Sequence, residues 1–243
     1  MDPLTISAAS GLRARLESLE MLANNIANES TGGYKADREF YSLYTAPEAA
    51  ASNPLPDTAP IIERPWTDFS QGQLRSTGNS LDFALSGKGF FGVAGPAGTL
   101  YTRDGSFQLS PAGVLITAQG HPVRAAGGGS FTLHSSSPIE ASPDGTLHQD
   151  GQVAGQLEIV DFPQPAVLSK RGHSYFQLND FNIKPAPAAG TEVSQGKVEN
   201  SNVSSAETAV RLIGVMRSFE MLQKAIGIAA EMNRRAVEEV ARV

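Results

Sequence analysis

Gly87-Lys88-Gly89-Phe90-Phe91-Gly92 has the G-x-G-x-x-G spacing of a nucleotide-binding turn, and it follows an alternating run that reads as a strand. A phosphate site of that kind needs the last glycine to open a helix whose first amides face the anion. Here Val93-Ala94-Gly95-Pro96 turns the chain again instead. The stretch therefore reads as a tight bend between strands at Gly89, with Phe90 and Phe91 on opposite faces and one of them in the core. The four histidines, His121, His134, His148 and His173, lack the H-x-x-x-H or H-x-H spacing that would bring two to one metal. No serine sits in a G-x-S-x-G elbow, there is no cysteine for thiolate chemistry, and no pair of carboxylates stands out from ordinary surface acids. The expectation is no catalytic residue, no cofactor, no metal and no small-molecule substrate.

A more specific cluster is Ala23-Asn24-Asn25-Ile26-Ala27-Asn28, followed by Glu29-Ser30-Thr31-Gly32-Gly33-Tyr34-Lys35. Three asparagines within five positions oppose helix propensity, so one reading is a helix fraying before a glycine cap at Gly33. The other, which we favour, is that Asn24 and Asn28, at i and i+4, reach neighbouring backbone and fix register between packed helices.

Helices must carry that cluster. From Pro3 to about Asn28, Thr5, Ala9, Leu12, Leu16, Leu19, Ala23 and Ile26 recur at three-four spacing behind an Asp2-Pro3 start. A second, longer helix is predicted from Ser204 to Val243, opened by a capping box of Ser204 and Glu207. Its seam runs through Ala209, Leu212, Met216, Phe219, Gln223, Ile226, Ala230, Asn233, Val237 and Val240. Val210, Ile213, Val215, Leu222 and Ile228 fall outside the seam, so this helix packs against more than one neighbour. With no core nearby in sequence, the two terminal helices most simply pack on each other.

Between them the period changes to two. Leu81–Leu85, Phe90–Val93, Thr99–Arg103, Phe107–Leu109, Val114–Thr117, Thr146–His148 and Gln156–Val160 read as short strands broken by turns, among them Asp104-Gly105 and Pro143-Asp144-Gly145. Tyr34 to Tyr44 is an amphipathic segment of undecided type. Thr45 to Pro60, rich in alanine and proline, reads as a linker or arm without regular structure.

The 24 glycines and 15 prolines in 243 residues agree with a turn-rich middle, and 40% hydrophobic content suffices for a core. A net charge of −6 without clustered Lys and Arg argues against a nucleic-acid or anionic-membrane partner. No run approaches the about 20 apolar residues that span a bilayer. The start at Met1-Asp2-Pro3 has no basic and apolar regions of a cleavable secretory signal, so the expectation is a chain that is cytoplasmic unless another export route takes it.

The asparagine cluster resembles the N-terminal signature of the bacterial flagellar rod and hook family, approximately A-N-N-I-A-N-x-x-T-x-G-Y/F-K, matched from Ala23 to Lys35. Two further blocks resemble the same family in the same order. One is Leu81 to Phe91 with Tyr101-Thr102-Arg103-Asp104-Gly105-Ser106-Phe107; the other is Gln195 to Val203 leading into Arg217-Ser218-Phe219-Glu220. The resemblance implies a non-enzymatic structural subunit of the basal-body rod, whose terminal helices form the inner tube with the β domain outside. It also implies export by the flagellar type III apparatus without a cleaved signal. Length and the start Met1-Asp2-Pro3-Leu4 look most like the proximal-rod F type, and next the distal-rod G type.

The expected fold is α+β: terminal helices paired in coiled-coil fashion, with an inserted antiparallel barrel or sandwich of hairpins. The expected boundaries are residues 1–44, the first helix and following segment; 45–72, the linker or arm; 73–183, the β domain; 184–203, a linker; and 204–243, the last helix. Expected partners are other copies of the chain, neighbouring rod subunits and the export apparatus. The interface is assigned to Leu12, Leu16, Leu19, Ala23, Asn24, Asn25, Ile26, Asn28, Leu212, Met216, Phe219, Ile226 and Val237, and structural turns to Gly33, Gly89 and Gly105.

Overall fold

The computed structural model describes residues 3–39, 41–45, 58–62, 65–134, 137–172, 174–180 and 183–240. His173, Met1-Asp2 and most of the Ala/Pro-rich arm lie outside these residues, as do the side chains of Thr5, Asn233 and Val240. The chain is α+β, with a helix at each end and antiparallel strand pairs between them. It divides into two compact units: residues 1–27, 37–67 and 204–243 form a helical unit, and residues 28–36 and 68–203 form a β unit.

The helical unit contains α1 (Pro3–Ala27), two short antiparallel pairs and α2 (Ser205–Val240). Proline at the first turn of α1 lacks an N–H that the helix would leave unpaired in any case. In α2 the Ser204 carbonyl accepts from the Thr208 N–H at 2.9 Å and the Thr208 hydroxyl at 2.8 Å. The Glu207 carboxylate faces Arg211 at 3.3 Å, one turn on, where the capping box would have it reach back. The helices pack on each other. A Cβ placed on Gly11 would lie 3.6 Å from Leu222 Cδ1.

The segment of undecided type holds β1 (Asp37–Arg38) and β2 (Tyr41–Thr45), and β3 (Thr58–Ile62) and β4 (Trp66–Thr67) lie within the stretch read as a linker. β1 pairs β4, and β2 pairs β3. Pro60 stands opposite Leu43 in a two-stranded pair, both of whose strands are edge strands, the setting in which proline is tolerated.

In the β unit, β5 (Leu74–Ser76), β6 (Phe83–Ser86), β7 (Phe90–Gly95), β8 (Gly98–Thr102), β9 (Phe107–Leu109), β10 (Leu115–Thr117), β11 (Ile139–Ala141), β12 (Thr146–Gln149), β13 (Gln152–Gln156), β14 (Ile159–Asp161), β15 (Leu168–Lys170) and β16 (Tyr175–Leu178) follow in order. β17 (Ala186–Pro187), β18 (Glu192–Gln195) and β19 (Lys197–Glu199) come after them, in a stretch that its prolines and alanines had marked as a second linker. Val193 and Val198 are buried there, and β18 and β19 return to pair β6 and β5. The largest sheet has the order β15-β16-β8-β7-β14-β17. Both Phe90 and Phe91 are buried, where only one had been expected to be. Phe91 joins Phe83, Val93, Phe107 and Leu115 on one face of β7, and Phe90 joins Tyr101, Phe162 and Phe176 on the other. A sheet covered on both faces buries both members of the pair.

Candidate functional site

Lys35, Arg103 and Glu199 come from three distant parts of the sequence and meet inside the β unit. Lys35 Nζ donates to Glu199 Oε1 at 2.5 Å and to the Ser70 carbonyl at 2.7 Å. Arg103 Nη1 donates to Glu199 Oε2 at 3.1 Å, and its Nη2 to the Gly87 carbonyl at 2.6 Å. The Gly72 N–H adds a third donor to Glu199, at 2.9 Å. The Lys35 and Glu199 side chains are wholly buried, and Arg103 nearly so, its guanidinium 5.4 Å from the centre of the Phe90 ring. Two cations on one carboxylate leave the cluster itself with an excess positive charge, offset only in part by the fields of Asp68 on Lys35 and Asp161 on Arg103, in a low-dielectric setting where an unpaired charge is costly. Burial accordingly pulls the Lys35 amine and the Arg103 guanidinium below their ordinary pKa values, with Glu199 opposing in both cases. Arg103 remains a cation, since even a lowered guanidinium pKa stays far above neutrality.

Residues 32–36 are fastened around Lys35 by both side chains and single backbone groups. The Ser174 hydroxyl donates to the Gly32 carbonyl at 2.8 Å, and the Gly33 N–H donates to the Glu199 carbonyl at 2.8 Å. Lys170 Nζ donates to the Lys35 carbonyl at 2.6 Å and lies 4.2 Å from the centre of the Tyr34 ring. Asn202 Oδ1 accepts from the Ala36 N–H at 2.7 Å, while its Nδ2 donates to the Asp68 carbonyl at 2.8 Å. Gly33 has φ +65°, and a Cβ there would lie 2.2 Å from the Asp104 nitrogen, so no other residue fits. Gly105 is required by proximity alone, with a Cβ falling 1.7 Å from the Phe83 carbonyl oxygen. Between them Asp104 is half-buried, and the desolvation raises its carboxyl pKa against the lowering effect of the Ser106 N–H that it accepts at 3.1 Å.

In the helical unit Asn25 reaches backbone. Its Nδ2 donates to the Asp37 carbonyl at 2.8 Å and its Oδ1 accepts from the Asp37 N–H at 3.0 Å, so one side-chain amide pairs with a residue as a strand would. Asn24 is exposed, and Asn28 Oδ1 accepts from the Thr31 hydroxyl at 3.2 Å in the turn that ends α1. The link that Asn25 makes runs from helix to following strand, whereas the expectation of a link between packed helices had been placed on Asn24 and Asn28.

Along α2 the half-buried row is Leu212, Val215, Phe219, Leu222, Ile226 and Ala229. It shares Leu212, Phe219 and Ile226 with the seam read from the sequence, but Val215 and Leu222 take the alternate positions. Met216 and Val237 stand 48% and 68% exposed. In α1, Leu12, Leu19 and Ile26 are partly buried, and Leu16 and Ala23 are exposed. Val210, Met221, Ile228 and Met232 are 64–71% exposed and, at 100° per residue, share a stripe on the side of α2 away from the buried row.

Gly87 to Gly92 joins β6 to β7, strand to strand, with Gly89 at φ +128° and no helix opening behind it. His121 packs edge-on to Tyr175, and His148 hydrogen-bonds Ser142. Among the described residues no three metal-ligating side chains cluster, and no helix is long and apolar enough to cross a membrane.

Sequence reasoning quoted Lys35, Arg103, Glu199 and Asn202 within its three blocks but gave none of them a role. Lys35, Arg103 and Glu199 each have an opposite charge within two positions in the sequence, so nothing local marks them for burial.

Three family models match the chain: "Flagella basal body rod protein" over residues 7–35, "Flagellar hook protein FlgE/F/G D1 domain" over 84–155, and "Flagellar basal body rod FlgEFG protein C-terminal" over 194–239. The flagellar basal-body rod protein FlgF of Caulobacter vibrioides is 31% identical, with 93% of this chain and 92% of the relative covered. FlgF of Mesorhizobium japonicum is 32% identical over 89% and 88%. The rod protein FlgG of Buchnera aphidicola subsp. Acyrthosiphon pisum is 33% identical over 96% and 97%. Lys35 falls in the first matched segment, Arg103 in the second, and Glu199 and Asn202 in the third, so the buried cluster joins all three parts of what is, on these similarities, a structural and non-enzymatic member of the FlgF/FlgG-type flagellar basal-body rod proteins.

Proposed function

We propose that this chain is a proximal-rod subunit of the F type, polymerising through α1 and α2 with copies of itself and neighbouring rod subunits into the axial shaft and export tube. In this reading α1 and α2 pair as a coiled-coil-like arm, the hairpins of the β unit close as a barrel, and the chain reaches the rod through the flagellar type III export apparatus. The observation that carries the reading is the second apolar stripe of α2, Val210, Met221, Ile228 and Met232, left open to solvent on the side away from the row facing α1. A helix apolar on two sides has two neighbours, and one chain supplies only α1.

Ile228→Asp tests the reading. Ile228 is 64% exposed, so the monomer should keep its thermal midpoint within about 1 °C, as surface substitutions do. In the polymer the charge is buried at every subunit, which costs several kcal/mol each time, so swimming and rod incorporation should be lost. Normal swimming of cells carrying Ile228→Asp would exclude this face as a packing surface. Imaging basal bodies that carry a tagged copy distinguishes a proximal from a distal position.

A further inference from the structure

Residues 28–36 belong to the β unit, although the chain on both sides of them, 1–27 and 37–67, belongs to the helical unit. Residues 32–36 form no regular strand, and their polar groups are met mainly by side chains and isolated backbone atoms: Ser174, Glu199, Lys170, Asn202 and Asp68. That is how a protein holds a bound peptide. The charges point the same way. With Lys35 withdrawn, Glu199 keeps Arg103 on one oxygen and the Gly72 N–H on the other, a neutral ion pair whose buried Arg103 Nε is left without a hydrogen-bond partner. With Lys35 seated, a second cation has been added to an anion already paired, and its amine gives up water to enter. The empty groove is therefore pre-organised, and seating the segment is a balance of opposing effects.

We propose that the β unit carries a peptide-binding groove, lined by Ser70, Arg103, Lys170, Ser174, Glu199 and Asn202, and that residues 32–36 are its reversible self-ligand. They leave and re-enter as one piece while the rest of the β unit stays folded. The ligand is an extended Gly-Gly-Tyr-Lys-Ala segment, the glycine fitting where no Cβ can and the lysine reaching the Arg103–Glu199 pair.

The absence of native cysteine allows thiol labelling of the full chain. Ser174→Cys is nearly isosteric and puts one thiol beneath Gly32, and Ala84→Cys puts a control thiol in the fully buried strand β6. Sub-global opening predicts that Ser174→Cys is alkylated at least ~100-fold faster than Ala84→Cys, with little dependence on denaturant below the unfolding transition. A synthetic peptide of residues 28–38, supplied at several millimolar to match the effective concentration of a tethered segment, should slow that labelling by at least about threefold. The same peptide carrying Gly33→Val, whose Cβ would meet the Asp104 backbone, should not. Labelling of both thiols at one denaturant-dependent rate would overturn the proposal, since the segment would then leave only on global unfolding. Fast labelling of Ser174→Cys unaffected by the wild-type peptide would overturn it too, by showing local movement of residues around 174 without a groove. If Ser174→Cys does not fold, amide exchange of the unmodified chain decides the same point. The Gly33 and Ala36 amides should exchange with one shared free energy, well below that of Phe83, and merging of the three would refute a separable segment.

Discussion

Replacing Glu199 by glutamine should damage the β unit far more than replacing Lys35 by methionine, and the asymmetry follows from counting charges. Glu199→Gln leaves Lys35 and Arg103 buried with no anion between them, and turns an acceptor of three hydrogen bonds into a group that also presents donors to donors. Removing one partner of a buried ion pair costs about 3–5 kcal/mol. Lys35→Met withdraws the surplus cation, keeps most of the side-chain volume and leaves the Arg103–Glu199 pair intact, so its cost is a hydrogen bond or two at about 1 kcal/mol each, partly offset by relief of the buried charge. The assay is native-state hydrogen exchange at β7, where the Gly92 N–H is bonded to the Glu158 carbonyl and the surrounding phenylalanines are buried. Glu199→Gln should speed exchange there by roughly 10²- to 4 × 10³-fold, and Lys35→Met by no more than about tenfold, one decade per 1.4 kcal/mol. The double variant should lie well below the sum, because without Lys35 the glutamine faces one cation, not two. Equal effects of the two single variants would refute the claim that Lys35 is electrostatically surplus.

Gly105→Ala should abolish folding of the β unit, or cost more than about 4 kcal/mol, since a Cβ would sit 1.7 Å from the Phe83 carbonyl oxygen; circular dichroism of the full chain reads it, and a folded variant would place the error in that approach. Asp104 supplies a pH test. Its carboxyl is held above the ordinary range by burial, so its stabilising contribution is fully present below the unfolded carboxylate pKa, about 3.9, and is lost as pH rises through the folded value. Asp104→Asn should therefore gain stability relative to the unmodified chain between pH 4 and pH 7 in urea unfolding, and a difference that stays constant with pH would remove the burial argument. Asn25→Ala breaks both bonds to the Asp37 backbone and should cost about 2–3 kcal/mol in protection of the Asp37 amide while leaving Phe83 unchanged. In a verified monomer, amide protection should be concentrated in residues 28–36 and 68–203, with α1 and α2 exchanging faster; equal protection of Leu12 to Ile26 and Leu212 to Ile226 would show a self-sufficient helix pair.

Both helices were legible because their signals are local. A proline-free run of three-four spacing with a polar start needs no distant partner to be recognised, and α1 and α2 begin and end within a few residues of the expected positions. The choice between Met216 and Val215 in the buried row of α2 was not, since each lies one step from Leu212 and Phe219 and only the partner helix decides. Gln223 was the available hint, because the row that avoids it takes Leu222. Hairpins such as β7 and β8, joined by a tight glycine turn, were legible for the same local reason. β17, β18 and β19 were not. Their pairing partners β14, β6 and β5 lie far away in sequence, and prolines among short alanine-rich stretches resemble a linker unless those partners are known.

The buried cluster shows what local reasoning misses in a protein with no reaction to perform. A catalytic constellation announces itself by residue types that have few other uses, whereas lysine, arginine and glutamate are ordinary surface residues until their burial is known. Within Gly33-Tyr34-Lys35, Arg103-Asp104-Gly105 and Glu199-Asn200-Ser201-Asn202 the charged positions gain their meaning jointly. Glu199 is tolerable inside the β unit only because Arg103 is there, and Lys35 only because Glu199 is. The glycines belong to the same arrangement. Gly33 lets the segment pass the Asp104 backbone at 2.2 Å from where a Cβ would be, which brings Lys35 to its carboxylate, and Gly105 lets the strand carrying Arg103 turn against Phe83. The segments that lead out of α1 and into α2, around Lys35 and Asn202, are thereby fastened in the β unit a few residues from where each helix ends or begins. Thermal or mechanical opening of that fastening must expose a buried ion to water in one step, so it opens as a unit and not by gradual fraying.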